Sequence, residues 1–307
     1  MRKTKTTFLT LLMILILLFS ISGAAADWFD TRWQYRKEIT VDHTKVSSNL
    51  TNFPVLIDIT DTDLQSKAQS DGDDILFTDD SDTKLDHEIE LYDSSTGYLA
   101  AWVKVPSLSS SSDTILYMYY GNPSATNQEN PTGVWDSNYV MVQHLEETSG
   151  TLYDSTSSAN DGTNTGAVFS SSGKMDGAYD FNGNDHISVD SSMLTGNEFT
   201  ISFWEYSSST ASYDIGYMVS DSANYDNLFY RRYNAGTECA GGIGYVNFGV
   251  FTLSRDTWHF HTLIHHSNGA FQVYADTVLR KDGTGSSFNG LTSDFYIANR
   301  QDLERDF

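Results

Sequence analysis

From residue 27 onward the chain lacks any sustained 3.6-residue apolar period. Short runs that alternate apolar with polar residues recur instead about every 10 to 15 residues, with Gly, Asn, Asp and Ser between them. That spacing predicts antiparallel sandwiches. In the first half it places strands at 35–41, 54–59, 74–78, 87–92, 100–105 and 114–120. The last of these, Thr114-Ile-Leu-Tyr-Met-Tyr-Tyr120, carries aromatic and β-branched residues on both faces and so predicts a strand inside its sheet. In the second half the pattern predicts strands at 139–145, 178–181, 186–189, 199–206, 217–220, 228–233, 244–251, 258–265, 271–274 and 295–298. Ten short strands suit a jelly roll. The expected fold class is all-β, two β-sandwiches in tandem.

Residues 1–26 break the pattern. Arg2, Lys3 and Lys5 precede an uncharged apolar run from Phe8 to Ile21, and Ala24, Ala25 and Ala26 follow it. This order predicts a signal peptide cleaved after Ala26, because the run is shorter than the roughly 20 residues a membrane-spanning helix needs. No later run reaches that length, so the mature chain is expected to have no transmembrane segment and to work outside the cell or at its surface. Between 122 and 133 the chain reads Asn-Pro-Ser-Ala-Thr-Asn-Gln-Glu-Asn-Pro-Thr-Gly, with two prolines and no aromatic residue. This stretch divides the chain into a first domain at 27–122, a linker at 123–133 and a second domain at 134–307.

Composition narrows the partners. The chain holds 18 Lys+Arg and 41 Asp+Glu, and removal of the leader takes three cations, leaving 15 minus 41, or −26. Nucleic acid and anionic membranes are poor partners for that charge. Asp outnumbers Glu by 31 to 10, which suits turns and calcium loops better than helices. Cys239 is the only cysteine, so no intramolecular disulfide forms and each domain relies on an ordinary core. It stands in a glycine-rich stretch that reads as flexible.

The second half carries Gln143-His-Leu-Glu-Glu-Thr-Ser-Gly-Thr-Leu-Tyr-Asp154, Gly177-Ala-Tyr-Asp-Phe-Asn-Gly183, Phe199-Thr-Ile-Ser-Phe-Trp204, Thr257-Trp-His259 and Phe271-Gln-Val-Tyr-Ala-Asp276. In this order the blocks resemble the laminin G-like members of the concanavalin A-like lectin/glucanase sandwiches. The first half carries Trp33-Gln-Tyr-Arg-Lys37, Phe53-Pro-Val-Leu-Ile57, Asp71-Gly-Asp-Asp-Ile75, His87-Glu-Ile-Glu90, Ala101-Trp-Val-Lys-Val-Pro106 and Tyr119-Tyr-Gly-Asn122. These resemble an uncharacterised domain of prokaryotic cell-surface proteins. The first resemblance implies a concanavalin A-like jelly roll, here expected to lack its last strand. It also implies a calcium site at the rim, because Tyr225-Asp226-Asn227-Leu-Phe resembles the calcium-binding Asp-Asn of pentraxins. Asp226, Asn227, Gln301 and Asp302 match that pattern, while Arg300 stands where pentraxins carry an acidic ligand.

No catalytic set is expected. The Glu-x-Asp-x-Glu motif of laminarinase-like enzymes is missing from the sequence, and Glu88 and Glu90, on one face of a strand whose Ile89 and Leu91 face inward, read as solvated. His259 and His261 share a strand face but lack the further ligands zinc needs. Asp154, Asn160, Asp161, Asp180, Asn184 and Asp185 read as Asx-turn residues. Sugar would be held by exposed aromatic rings, for which Trp204, Tyr206, Tyr213, Tyr217, Tyr225, Tyr230 and Tyr233 are candidates. The expected role is binding of a glycan or an extracellular protein, with calcium as its one cofactor. A structural envelope spacer and a non-catalytic piece of a glycan-degrading enzyme are the alternatives.

Overall fold

The computed structural model describes residues 28–182, 185–208, 216–221, 227–233 and 237–298. The expected signal peptide lies outside them. No helix among the described residues is long and apolar enough to cross a membrane.

The first half holds β1 (Tyr35–Val41), β2 (Leu50–Thr60), β3 (Leu76–Asp79), β4 (Lys84–Leu85), β5 (His87–Asp93), β6 (Tyr98–Leu108) and β7 (Thr114–Tyr120), with a short helix α1 (Thr62–Lys67) after β2. One sheet runs β1-β7-β3-β4 and the other β2-β6-β5, all antiparallel. As its two-faced apolar pattern predicts, β7 lies inside its sheet. Ile57, Ile75, Phe77, Leu99, Val103, Leu116 and Met118 fill the space between the sheets, and Leu64 of α1 joins them, fully buried. Each such side chain contributes roughly 1.5–3 kcal/mol of transfer free energy.

Asp74 ties the ends of this sandwich together. Its carboxylate accepts from the N–H groups of Gln69, Gly121 and Asn122, and its carbonyl accepts from Trp33 Nε1 at 2.6 Å. Trp33, the Asp-Gly-Asp-Asp run and Tyr-Tyr-Gly-Asn, far apart in sequence, therefore meet at one point.

Residues 123–133, expected as a linker, run along the open edge of β5. Asn130 N donates to His87 O, Ile89 N donates to the Glu129 carboxylate, and Lys84 Nζ donates to Gln128. An edge strand with unpaired backbone groups is a template for aggregation, and this strap satisfies it. A short helix, α2 (Pro131–Val134), follows.

The second half contains β8 (Thr151–Leu152), β9 (Gly162–Thr165), β10 (Val168–Ser170), β11 (Ala178–Asp180), β12 (His186–Val189), β13 (Phe199–Tyr206), β14 (Gly216–Asp221), β15 (Leu228–Tyr233), β16 (Glu238–Ile243), β17 (Val246–Asn247), β18 (Phe251–Thr252), β19 (Trp258–His265), β20 (Phe271–Ala275), β21 (Val278–Gly283) and β22 (Phe295–Ile297). The larger sheet runs β17-β16-β15-β14-β22-β12-β9-β8, with β18 also on β16, and the facing sheet runs β13-β19-β20-β21. Val189, Phe199, Val219, Leu228, Leu263, Val273, Phe288 and Phe295 pack between them.

Three expectations change here. The strand expected at 244–251 is only two short pieces, β17 and β18, around an unassigned stretch. Residues 139–145 form no strand, and Val142 N is bonded to the Asp154 carboxylate. The glycine-rich stretch around Cys239, read as flexible, is β16, and Cys239 is fully buried in the core. The glycines serve close packing. A Cβ on Gly241 would stand 2.2 Å from the Phe248 ring and 2.5 Å from Phe229 O.

Candidate functional site

Strands β13, β19 and β20 alternate cleanly. Their inward positions carry Phe199, Ile201, Phe203 and Glu205, then His259, His261, Leu263 and His265, then Phe271, Val273 and Ala275. Their outward positions carry Thr200, Ser202, Trp204, Tyr206, Trp258, Phe260, Thr262, Ile264, Gln272 and Tyr274. None of the ten outward residues is charged, on a chain whose formal charge is −23. The register sets Trp204 opposite Phe260 and Tyr206 opposite Trp258, with ring centroids 5.2 and 5.6 Å apart. The two ring pairs are two residues apart along the strands, or about 6.7 Å. Trp204 and Tyr206 are exposed by 40% and 46%, far above what a core ring shows.

The inward histidines hold this face in register. His259 Nδ1 lies 2.6 Å from Asp276, at the turn after β20, and its Nε2 lies 3.0 Å from Ser254 O. His261 sits between the Tyr230 hydroxyl, 2.8 Å away, and Glu205. Glu205 also accepts from the buried Arg232 guanidinium at 3.0 Å. Burial would raise the Glu205 carboxyl, but His261 and Arg232 overcome it and hold it low. Burial lowers His261 against the pull of Glu205. A slip of one residue would carry these polar groups to the surface and the rings into the core, so the network fixes which face bears the rings. The two histidines are satisfied inside the sandwich and assemble no zinc site.

The candidate aromatics divide accordingly. Trp204 and Tyr206 face outward; Tyr230 is fully buried. Tyr213 and Tyr225 lie outside the described residues, as do the side chains of Tyr217 and Tyr233. Trp258 and Phe260 were missed, although Trp258-His-Phe-His261 contains the signal: period two sends both rings to the face opposite the histidines.

Of the expected calcium ligands, Asp226, Gln301 and Asp302 lie outside the described residues. Asn227 is described and buried, and its amide nitrogen donates to Asp221 Oδ2 at 2.8 Å and to Gly290 O at 2.9 Å. Asp221 is filled by Thr292 and Ser293 as well. Asp154 accepts from Val142 N, Thr156 N, Thr156 Oγ1 and Asn160 N, so turn bonds account for that carboxylate without an ion.

Glu88 and Glu90 correct the reading of a solvated face. Both are buried. The second half sits against the outer face of β5 and β6, so alternation pointed the two glutamates correctly while the surface was covered, although a bulge after Ile89 takes Leu91 out of the core packing. Trp135 Nε1 and Ser155 Oγ donate to Glu88 at 2.8 and 2.6 Å, and Trp102 Nε1 donates to Glu90 at 2.6 Å. His144 stands between the two carboxylates, 3.2 Å from Glu88 and 3.5 Å from Glu90. Its approach to Glu88 is an ion-pair contact rather than an aligned hydrogen bond. Burial would lower the imidazole, but the carboxylates raise it to about 10. For Glu88, burial pulls upward and the His144 contact prevails, leaving the group lowered. With both Glu88 oxygens and Glu90 Oε2 engaged inside a junction, this pair is a clamp.

Comparison with known proteins agrees with the two-part organisation. Residues 71–161 match the profile of a domain of unknown function (DUF2341), and all six residues of the clamp fall within that match. Residues 181–307 match the profile described as the concanavalin A-like lectin/glucanases superfamily, so the C-terminal part is a concanavalin A-like domain. No curated protein matches the chain. Among solved structures, Domain 4 of AbnA, a GH43 extracellular arabinanase from Geobacillus stearothermophilus, in complex with arabinotriose, is 19% identical over 48% of this chain and 78% of its own, with a TM-score of 0.40. The binding domain of Paraclostridial Mosquitocidal Protein 1 is 15% identical over 52% and 44%, with a TM-score of 0.42. At these scores neither likeness bears on what this chain binds.

Proposed function

We propose that this chain is an exported, non-catalytic glycan-binding protein that holds sugar on the outward face of β13, β19 and β20. The observation that carries the reading is the uncharged face with its two cross-strand ring pairs. Apolar faces of sugar rings stack on aromatic rings, while hydroxyls bond to neighbours such as Ser202, Thr262 and Gln272. The lectins named in the profile matched by residues 181–307 point the same way. Glycoside hydrolysis needs two carboxylates flanking the bond, and Asp282 of β21, opposite Gln272, is the single carboxylate this register brings to the margin of the face. Calcium at the rim belongs to the proposal as a support for the loops, with Asp226, Asn227, Gln301 and Asp302 as ligands. A spacer role is the second reading, favoured by the Glu88–His144–Glu90 clamp that fixes one sandwich on the other. Screening of the whole chain on immobilised glycans separates the two. Binding lost in Trp204→Ala with unchanged melting supports the first; no binding to any glycan removes it.

A further inference from the structure

Resting on that glycan reading, we propose that Lys174 makes the face selective for sugars bearing a carboxylate. Lys174 lies in the loop between β10 and β11, and its Nζ stands 5.0 Å from the centroid of the Trp204 ring. It is exposed, and among the described residues no carboxylate lies within ion-pair distance of it. Lys37 pairs with Asp61, Lys67 with Asp63, and Lys104 donates to Gly133 O, while Lys174 is set apart by its place over a ring of the outward face. Without an ion pair among the described residues, its ammonium rests on a ring that a sugar would use.

The geometry gives the face two unlike ends. The Trp204–Phe260 pair carries the cation. Four residues along the strands, about 13 Å away, Ile264 pairs with Gln272, and Gln272 pairs with Asp282. A sugar stacked on Trp204 with a carboxylate at its edge meets the ammonium, whose flexible stem can exchange the ring for the charged oxygen. At the other end Asp282 follows Arg280 and Lys281 on β21, so the charge there is mixed. The net charge of the chain is negative, so a uronate is accepted at the Trp204 end through Lys174.

The test compares oligomers of a uronic acid with their fully methyl-esterified forms, which keep the ring and remove the charge. Binding to the whole chain is measured by titration calorimetry at low and high salt. The acid form is expected to bind about tenfold more tightly at low salt, and the preference to vanish in Lys174→Gln and in 0.5 M salt. Equal binding of acid and ester, or a preference that persists in Lys174→Gln, overturns the inference and leaves the glycan reading standing. Trp204→Ala is expected to weaken both forms. If no neutral or acidic oligosaccharide binds the unsubstituted chain, the glycan reading itself falls, and this inference with it.

Discussion

Nε2 of His144 lies 3.2 Å from Oε1 of Glu88, and the two residues come from opposite sides of the junction between the sandwiches. Folding raises the imidazole from 6.5 to about 10. A group raised in the folded state adds stability that is complete below its unfolded value and disappears as pH climbs to its folded value. The gap in melting temperature between the native chain and His144→Gln is therefore expected to be widest below about pH 6.5 and to close toward pH 10. Glu88 is lowered, so its own contribution fades as pH falls below about 4.5. Melting curves across pH 4 to 10 check both limbs; a gap that widens above pH 7 would refute the assignment.

Trp258 contributes a ring to the outward face and nothing to the core. Trp258→Ala is expected to weaken glycan binding roughly tenfold while changing stability by about 0.5 kcal/mol or less. Calorimetry and thermal melting on the same sample separate the two effects.

Arg232 and Glu205 form a buried pair inside the second sandwich. Removing one partner strands the other, so Arg232→Met is expected to cost about 3–5 kcal/mol in urea unfolding. The double substitution Arg232→Met with Glu205→Leu is expected to recover much of that loss, because no charge remains uncompensated. Equal losses in single and double variants would show that shape, not charge, governs this site.

Calcium at the rim is expected to raise the melting temperature by a few degrees when millimolar Ca²⁺ replaces EDTA, the response of a weak site held about tenfold above its Kd. The rise should be absent in Asp226→Ala. No shift in the native chain removes calcium from the proposal.

Much of the fold was legible because strands are written in period two. Six expected strands, 35–41, 114–120, 186–189, 199–206, 228–233 and 258–265, match the observed bounds. β16 was hidden by its glycines, which read as turn signals but are required by Phe248 and Phe229 pressing on the backbone. Trp258 and Phe260 were legible in principle, since alternation against two histidines assigns their face. Burial of Glu88 and Glu90 was not, because period two tells which way a side chain points and says nothing about what a distant segment lays over it.

The strap at 123–133 has a consequence for how such modules travel between proteins. Severing the chain after Tyr120 would strip Glu129 from Ile89 and Asn130 from His87, and would leave two glutamates without their imidazolium. The smallest cassette that can be transplanted intact therefore extends through Ser155, past the proline-rich stretch where a sequence-guided cut would fall.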